Sequence, residues 1–533
     1  MPPSPLTSNT LAPDHEHRSI NPWLIAITVV LATFMEVLDT SIANVALPHI
    51  AGNLSAGVDE STWVLTSYLV SNAIVLPLTA WFSTLMGRKR FYLACVAIFT
   101  VSSFLCGLAP NLPLLIVFRV IQGAGGGGLQ PVSQAILVES FDRSKQGMAM
   151  AMYGMGVVVA PIIGPTLGGW ITDNFSWRWI FFINVPVGIV SLAMTSALIW
   201  DPPYLIRKTF RQGLRIDFIG LGLLSVGLAF LQVVLDKGQR DDWFGSSFIL
   251  WCTIIGAAGL VGAVFWELRQ EDPIVDLRLL KERNFAIATV SMFALGTVLY
   301  GTTVLLPILV QTLMGYTAEL SGLVLSPGAV ITLISMPLVG RLLARFEARW
   351  LVVFGLLTLA TGMFALARVN LLTGFRTFVY TWMISRGGLG FLFVPINVMA
   401  FFFVPKEKTN NAAGIINLAR NMGGSIGISV VTTLQARLSQ VHQNYLSAHL
   451  SPFDPQFQQR LHGLAAGLHA SGSSAALALL QARAMLYSEL VRQSQMMAFV
   501  DVFRSLGFTC LALIPLMFLM KKSGRGKSGA PLH

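Results

Sequence analysis

The chain has 533 residues, of which 11% are charged and 54% apolar, with a net charge of +11 and a mean hydropathy of +0.67. Soluble domains carry roughly 25% charged residues, so this chain lacks the charge to cover the several soluble domains its length implies. The apolar residues fall in runs of about 20, enough to cross a hydrocarbon core about 30 Å thick, which argues against a soluble enzyme and for a polytopic membrane protein. Basic residues cluster between the runs and form no continuous face with interleaved aromatics, so nucleic acid is not expected as a partner.

The first 22 residues are polar and Pro-rich, without the basic start and small-residue cleavage site of a signal peptide. A cytoplasmic tail (1–22) is therefore expected ahead of a retained first span. Fourteen spans are expected. Residues 23–200 hold the first six, at 23–47, 62–83, 91–109, 113–138, 147–172 and 180–199. A linker (201–284) adds two, at 215–235 and 246–268. Residues 285–520 hold six more, at 285–313, 320–344, 350–368, 378–403, 411–436 and 495–520, and 521–533 form a basic tail. No window alternates as a strand would, so the expected fold is all-α. Loops on the amino-terminal side carry 23 Lys and Arg against nine on the other, which predicts both termini in the cytoplasm.

An internal repeat supports two halves of like topology. Ala80-Trp81-Phe82 through Arg88-Lys89-Arg90 recurs as Gly340-Arg341-Leu342 through Arg349, at an offset of 260. Gln122-Gly123 with Pro131 recurs as Arg386-Gly387 with Pro395, at an offset of 264. Parallel repeats enclosing a midplane site are a transporter architecture.

Glu36 and Asp39 lie three residues apart, on one face of the first span. An acid in hydrocarbon costs roughly 2.5–3.5 kcal/mol even on lenient scales, so it faces a cavity or a partner. An exchangeable proton in the membrane is what coupling to a proton gradient requires; the plainer alternative is an acid hydrated at the outer mouth. Arg119 is expected at the depth of Asp39, within reach of an ion pair, or else snorkelling to the interface. In span 5, Pro161 and Pro165 each remove a ladder bond, and Gly164 and Gly168, followed by Gly169, offer a close-packing face. That combination points to a gate or hinge.

Other motifs fail. Gly123 to Gly128 matches G-x-G-x-x-G inside a membrane helix without a preceding strand. Gly526-Lys527-Ser528 lacks the leading Gly of a phosphate loop. No metal or cofactor site is expected from the eight His, all outside the span cores, or from Cys95, Cys106, Cys252 and Cys510, read as core filler. The longest outer segment, 437–494, opens with a turn at Ser451–Pro455. Residues 475–505 then lack Gly and Pro, so a helix capped by Ser473 or Ser474 would project roughly 30 Å beyond the last span. An ordered hairpin serving as a docking surface is expected, with a flexible excursion as the alternative.

Leu38-Asp39-Thr40-Ser41-Ile42-Ala43-Asn44, Arg119-Val120-Ile121-Gln122-Gly123, Gly164-Pro165 with Gly168-Gly169, and Trp177 to Gly188 resemble, in this order, motifs of the fourteen-helix drug:proton antiporters of the EmrB/QacA type. That family belongs to the major facilitator superfamily. The resemblance implies two six-helix halves with two helices inserted between them. It implies proton-driven efflux of amphipathic compounds across an inner membrane, with the proton gradient in place of any cofactor. It also implies a periplasmic adaptor and an outer-membrane channel as partners. Asp39, Glu36 and Arg119 become the proton-coupling set, and Asn44, Gln122, Asn417 and Arg420 the candidate cavity residues. Gly87-Arg88-Lys89-Arg90 matches the loop motif after span 2, but Thr84 and Ala80 replace its usual Asp and Gly, which places the usual charge network there in question. A narrow exporter of one metabolite, lipid or siderophore is the alternative on this scaffold. A membrane enzyme is disfavoured because no His or Cys is expected near an intramembrane acid.

Overall fold

A computed structural model describes residues 21–201, 217–270, 273–448, 450 and 453–521. Most of both tails, linker residues 202–216, Asp272, the turn residues Ser451 and Pro452, and Gly526-Lys527-Ser528 lie outside the described residues. Every regular element among those described is helical.

The first half comprises α1 (Pro22–Asn53), α2 (Trp63–Met86), α3 (Arg88–Leu108), α4 (Leu112–Gly126), α5 (Leu129–Ser140), α6 (Gln146–Asn174) and α7 (Asn184–Leu198). A hairpin follows, α8 (Phe218–Lys237) and α9 (Ser247–Arg269). The second half comprises α10 (Arg283–Thr312), α11 (Ala318–Leu342), α12 (Ala348–Leu366), α13 (Phe375–Phe401), α14 (Thr409–Ser447), α15 (Pro455–Ala470) and α16 (Ala475–Ala512). The halves meet where α6 packs on α11 and α13, α2 on α14, and α5 on α14. The inserted pair packs on itself and touches α2 and α14, one helix from each half.

Thirteen stretches of helix among the described residues are long and apolar enough to cross a membrane. The span expected at 113–138 is two helices, α4 and α5, parted at Gly127-Gly128. The expected span 411–436 lies in α14, a 39-residue helix that falls outside the thirteen. Its buried face carries Asn410, Asn417 and Arg420, and these polar groups lower its apolarity. Outward faces are aromatic and exposed, as on α9 where Trp251 and Phe265 are 62% exposed, the surface that lipid covers.

The glycine run at 123–128 has a packing cause. A Cβ on Gly123 would lie 2.4 Å from the Tyr68 carbonyl oxygen, and one on Gly127 2.7 Å from that of Asn72. Backbone thus meets backbone between α2 and the α4–α5 junction. The same approach brings Tyr68 and Asn72 to α1.

α14 and α16 are each near 57 Å long at about 1.5 Å per residue, far more than a hydrocarbon core needs. The two helices pair with each other: His442 Nε2 lies 2.8 Å from Asp501 Oδ2, and Gln443 donates to the Tyr487 hydroxyl at 2.9 Å. α15 folds onto α16, with Leu461, Ala482 and Leu486 forming a small core. Asp454 caps α15 and Ser474 caps α16.

Candidate functional site

Asp39 is 2% exposed in the middle of α1, where apolar neighbours leave its carboxylate only the partners that other helices bring. Arg119 of α4 donates from Nη1 to Oδ2 at 2.6 Å. Gln122, one turn further along α4, donates to Oδ1 at 3.0 Å, and Asn184, the first residue of α7, donates to the same oxygen at 2.7 Å. Arg119 is fully buried. Its Nε donates to the Val64 carbonyl at 2.9 Å and its Nη1 also to Gln122 Oε1 at 2.7 Å. Its guanidinium lies 4.2 Å from the Tyr68 ring centroid, a desolvated cation–π contact. Contrary to the expectation that no Cys lies near an intramembrane acid, Cys106 of α3 stands beside the group, its thiol 3.5 Å from Gln122 Oε1.

Glu36, one turn before Asp39 and 3% exposed, belongs to a second network. Its Oε1 accepts from the Tyr68 hydroxyl and from Asn72 Nδ2, both at 3.1 Å. Its Oε2 accepts from Gln130 Nε2, while Gln130 Oε1 accepts from Arg420 Nη2 of the other half. Below it, Asn417 Nδ2 donates to Gln134 Oε1 at 2.7 Å, and Asn417 Oδ1 accepts from the Tyr153 hydroxyl at 3.1 Å. Gln134 Nε2 donates to Asn397 Oδ1. A seam of amides, buried and reciprocally bonded, thus joins α5 and α6 to α13 and α14.

Above the seam is a cavity of about 190 Å³ between the halves. Its polar lining includes Glu36, Thr40, Asn44, Gln232, Thr303 and Asn421. Of the four residues proposed from sequence for the cavity, Asn44 lines it; Arg420 touches the lining residue Gln130; Gln122 and Asn417 belong to the Asp39 cluster and the seam. Asp39 lies behind the wall, whereas Glu36 is part of it. Sequence reasoning missed Tyr68, Asn72, Gln130, Asn184 and Gln232. The available signal was a polar side chain inside an apolar run, which does not say where it faces.

Pro161 and Pro165 also line the cavity, and α6 runs unbroken through both. Pro165 has no N–H for the Pro161 carbonyl, and Ser41 Oγ donates to that oxygen instead, at 3.2 Å. Gly164 makes this possible, because a Cβ there would lie 2.4 Å from Ser41 Oγ. Gly168 lets Ile42 approach, while a Cβ on Gly169 would meet Val45 at an ordinary contact distance.

At the loop motif, Gly87 takes φ +84°, a left-handed conformation suited to glycine. Arg88 is 2% exposed and forks onto Glu139 at the end of α5, Nη2 to Oε1 at 3.0 Å. Lys89 donates from Nζ to the Ser196 carbonyl at 2.6 Å, and its backbone N–H to Asp201 at 2.8 Å. Arg90 is exposed. A charged network therefore exists at this loop through Glu139, with Thr84 turned back to the Ala80 carbonyl at 3.0 Å.

Residues 29–428 match the profile described as Major Facilitator Superfamily. The chain is 39% identical to the probable multidrug resistance protein EmrY of Escherichia coli, over 85% of this chain and 86% of that one. It is 35% identical to the E. coli multidrug export protein EmrB over 96% and 98% of the two chains. Among solved structures it superposes on the proton:xylose symporter XylE with a TM-score of 0.59 at 14% identity, covering 93% of this chain and 95% of that one. The helical halves, the cavity between them and these likenesses agree: the chain is a multi-pass membrane protein of the major facilitator superfamily, in the branch of its EmrB and EmrY relatives.

Proposed function

We propose that this protein is a proton-driven antiporter that exports amphipathic drugs or toxic compounds across a bacterial inner membrane, both termini lying in the cytoplasm. The observation that carries the reading is the placement of two acids one helical turn apart with different partners. Asp39 is ion-paired behind the cavity wall, and Glu36 is in the wall. Protonating Asp39 removes the charge that holds Arg119 and loosens α1 from α4 and α7. Protonating Glu36 changes the wall that substrate touches. A proton and a substrate can then bias the same two-state rocking of the halves in opposite senses, which is what antiport by alternating access requires.

The cavity mixes hydroxyls and amides with Val37, Val304, Met422 and Ile428, a lining suited to amphipathic ligands of varied shape. Its 190 Å³ is below the roughly 300–1,000 Å³ of drug-sized sites, so a substrate enters only when the halves part. The proton gradient supplies the energy and no cofactor takes part. Export beyond the inner membrane would use a periplasmic adaptor docked on α15 and the projecting end of α16, leading to an outer-membrane channel. The names of EmrB and EmrY support the drug-export part.

The test is substrate-dependent proton movement in proteoliposomes carrying a pH-sensitive dye. Adding an amphipathic substrate should release protons from the purified wild type, and an uncoupler should abolish uphill transport. Uphill export that persists without a proton gradient would sink the reading.

A further inference from the structure

We propose that Gln130 is a positioning residue that passes the protonation state of Glu36 to Arg420, linking the two halves through an amide whose polarity allows only one arrangement. The proposal rests on the proton-coupling reading above. Gln130 is 5% exposed in the first turn of α5, just past the Gly127-Gly128 break that aims it inward. It touches Glu36 on one side and Arg420 on the other.

Its orientation is forced. A guanidinium has only donors, so the amide oxygen must face Arg420 and the amide N–H₂ must face Glu36. An ionised carboxylate only accepts, so the arrangement closes. The groups around Glu36 share this polarity: the Tyr68 hydroxyl and Asn72 amide donate to Oε1, and the charges acting on it are Arg420 and Asp39. Asp39 is itself held by Arg119, Gln122 and Asn184. Tyr153 and Tyr300 face Arg420 from α6 and α10.

When Glu36 takes up a proton it becomes a donor. Oε1 already receives two hydrogen bonds and Oε2 one, so the proton settles on Oε2, against Gln130. Two donors then meet unless the amide turns over. Turning it presents N–H₂ to Arg420, and the clash reappears at the boundary between the halves. Either way one bond of the bridge is lost: the Glu36–Gln130 bond if the amide stays, or, if it turns over to keep Glu36, the Gln130–Arg420 bond, and then the contact between α5 and α14 weakens only when Glu36 is protonated. Buried donors without acceptors are costly enough to shift an equilibrium between two packings roughly fivefold or more.

The experiment measures conformation directly. Spin labels go to Ser144 and Ala344, both exposed. These positions flank the contact where a Cβ on Gly147 would lie 2.9 Å from the Gly340 carbonyl oxygen, one residue from each half. The four native cysteines are buried and do not compete for label. Distances are recorded by pulsed electron resonance in nanodiscs, without substrate, between about pH 5 and about pH 9.

The wild type should redistribute between two distances. Gln130→Met should shrink that redistribution at least roughly threefold, and Arg420→Met should do the same, with no further loss in the double variant. Arg420→Lys, which keeps a donor-only cation, should restore it. A folded Gln130→Met or Arg420→Met protein with the wild-type amplitude and midpoint overturns the proposal, and either variant suffices if the other does not insert. A wild type that moves protons with substrate but shows no pH-dependent redistribution overturns the link alone. A wild type without proton movement overturns the reading beneath it.

Discussion

Removing the charge of Asp39 tests the ion pair more severely than its near-isosteric replacement suggests. Asp39 accepts three side-chain N–H groups, from Arg119, Gln122 and Asn184. Asparagine offers one oxygen and one N–H₂. If its oxygen keeps Gln122 and Asn184, its N–H₂ meets Arg119; turned over, it meets the two amides. Neither amide is free to flip, since Gln122 Oε1 accepts from Arg119 and Asn184 Nδ2 donates also to Ser103 Oγ at 3.0 Å. Breaking a buried pair costs about 3–5 kcal/mol. Arg119 keeps the Val64 carbonyl and Gln122 Oε1, which places Asp39→Asn near the lower end, about 3 kcal/mol. Arg119→Gln removes the other charge, and the double variant leaves no uncompensated ion. The double should therefore be more stable than the sum of the singles by roughly 1–3 kcal/mol, while all three lose proton-driven export. Unfolding in mixed micelles and dye-reported proton flux in proteoliposomes supply the two readouts. Additivity within about 0.5 kcal/mol, or undiminished uphill export by Asp39→Asn, would refute the reasoning.

Three further outcomes are expected. Gly164→Ala places a methyl 2.4 Å from Ser41 Oγ and 2.5 Å from Ser41 Cβ and should destabilise the α1–α6 contact by about 1–3 kcal/mol; Ser41→Gly, which removes both atoms, should restore part of that loss in a thermal unfolding assay, and no restoration would mean the glycine serves another neighbour. Reporter fusions should place both termini and the Arg88–Arg90 loop in the cytoplasm, and a carboxyl terminus outside would break the fourteen-span arrangement. Deleting residues 452–472 strips α15 from Ala482 and Leu486 and should weaken copurification with a periplasmic adaptor while drug binding to the membrane core persists; unchanged adaptor binding would remove α15 from the dock.

The spans were legible because membrane thickness fixes one length and lipid one polarity, so runs of about 20 apolar residues announce themselves. The helix of residues 475–505 was legible for a different reason, the absence of Gly and Pro. What the sequence hid is rotational. Gln130 and Asn184 are each a lone polar residue in an apolar run, and nothing local says that one faces Glu36 and the other Asp39. The break between α4 and α5 was hidden too, since the glycines that allow it also suit close packing. Depth along the spans pairs Asp39 with Arg119 and offers Glu36 no partner; only the packed helices place Glu36 on the cavity wall.

The repeat explains why a link across the halves is needed at all. The 264-residue offset carries Glu36 onto Tyr300, Asp39 onto Thr303 and Gln122 onto Arg386. The second half has thus kept a buried cation near the equivalent place and has neither acid. Arg386 is 1% exposed and donates from Nη2 to the hydroxyls of Thr302 and Thr303 at 3.0 and 2.9 Å. Its guanidinium lies 3.7 Å from the Trp382 ring centroid. Neutral hydroxyls and an aromatic face hold that charge without any group that titrates near neutral pH. Proton exchange at these equivalent positions therefore changes the charge of the first half alone. A change confined to one rigid body moves the other only through contacts that differ between the two charge states. The apolar packing of α6 on α11 does not differ in that way. The Glu36–Gln130–Arg420 bridge does, since its first member gains or loses a proton and its last belongs to the half that has no acid at the equivalent positions.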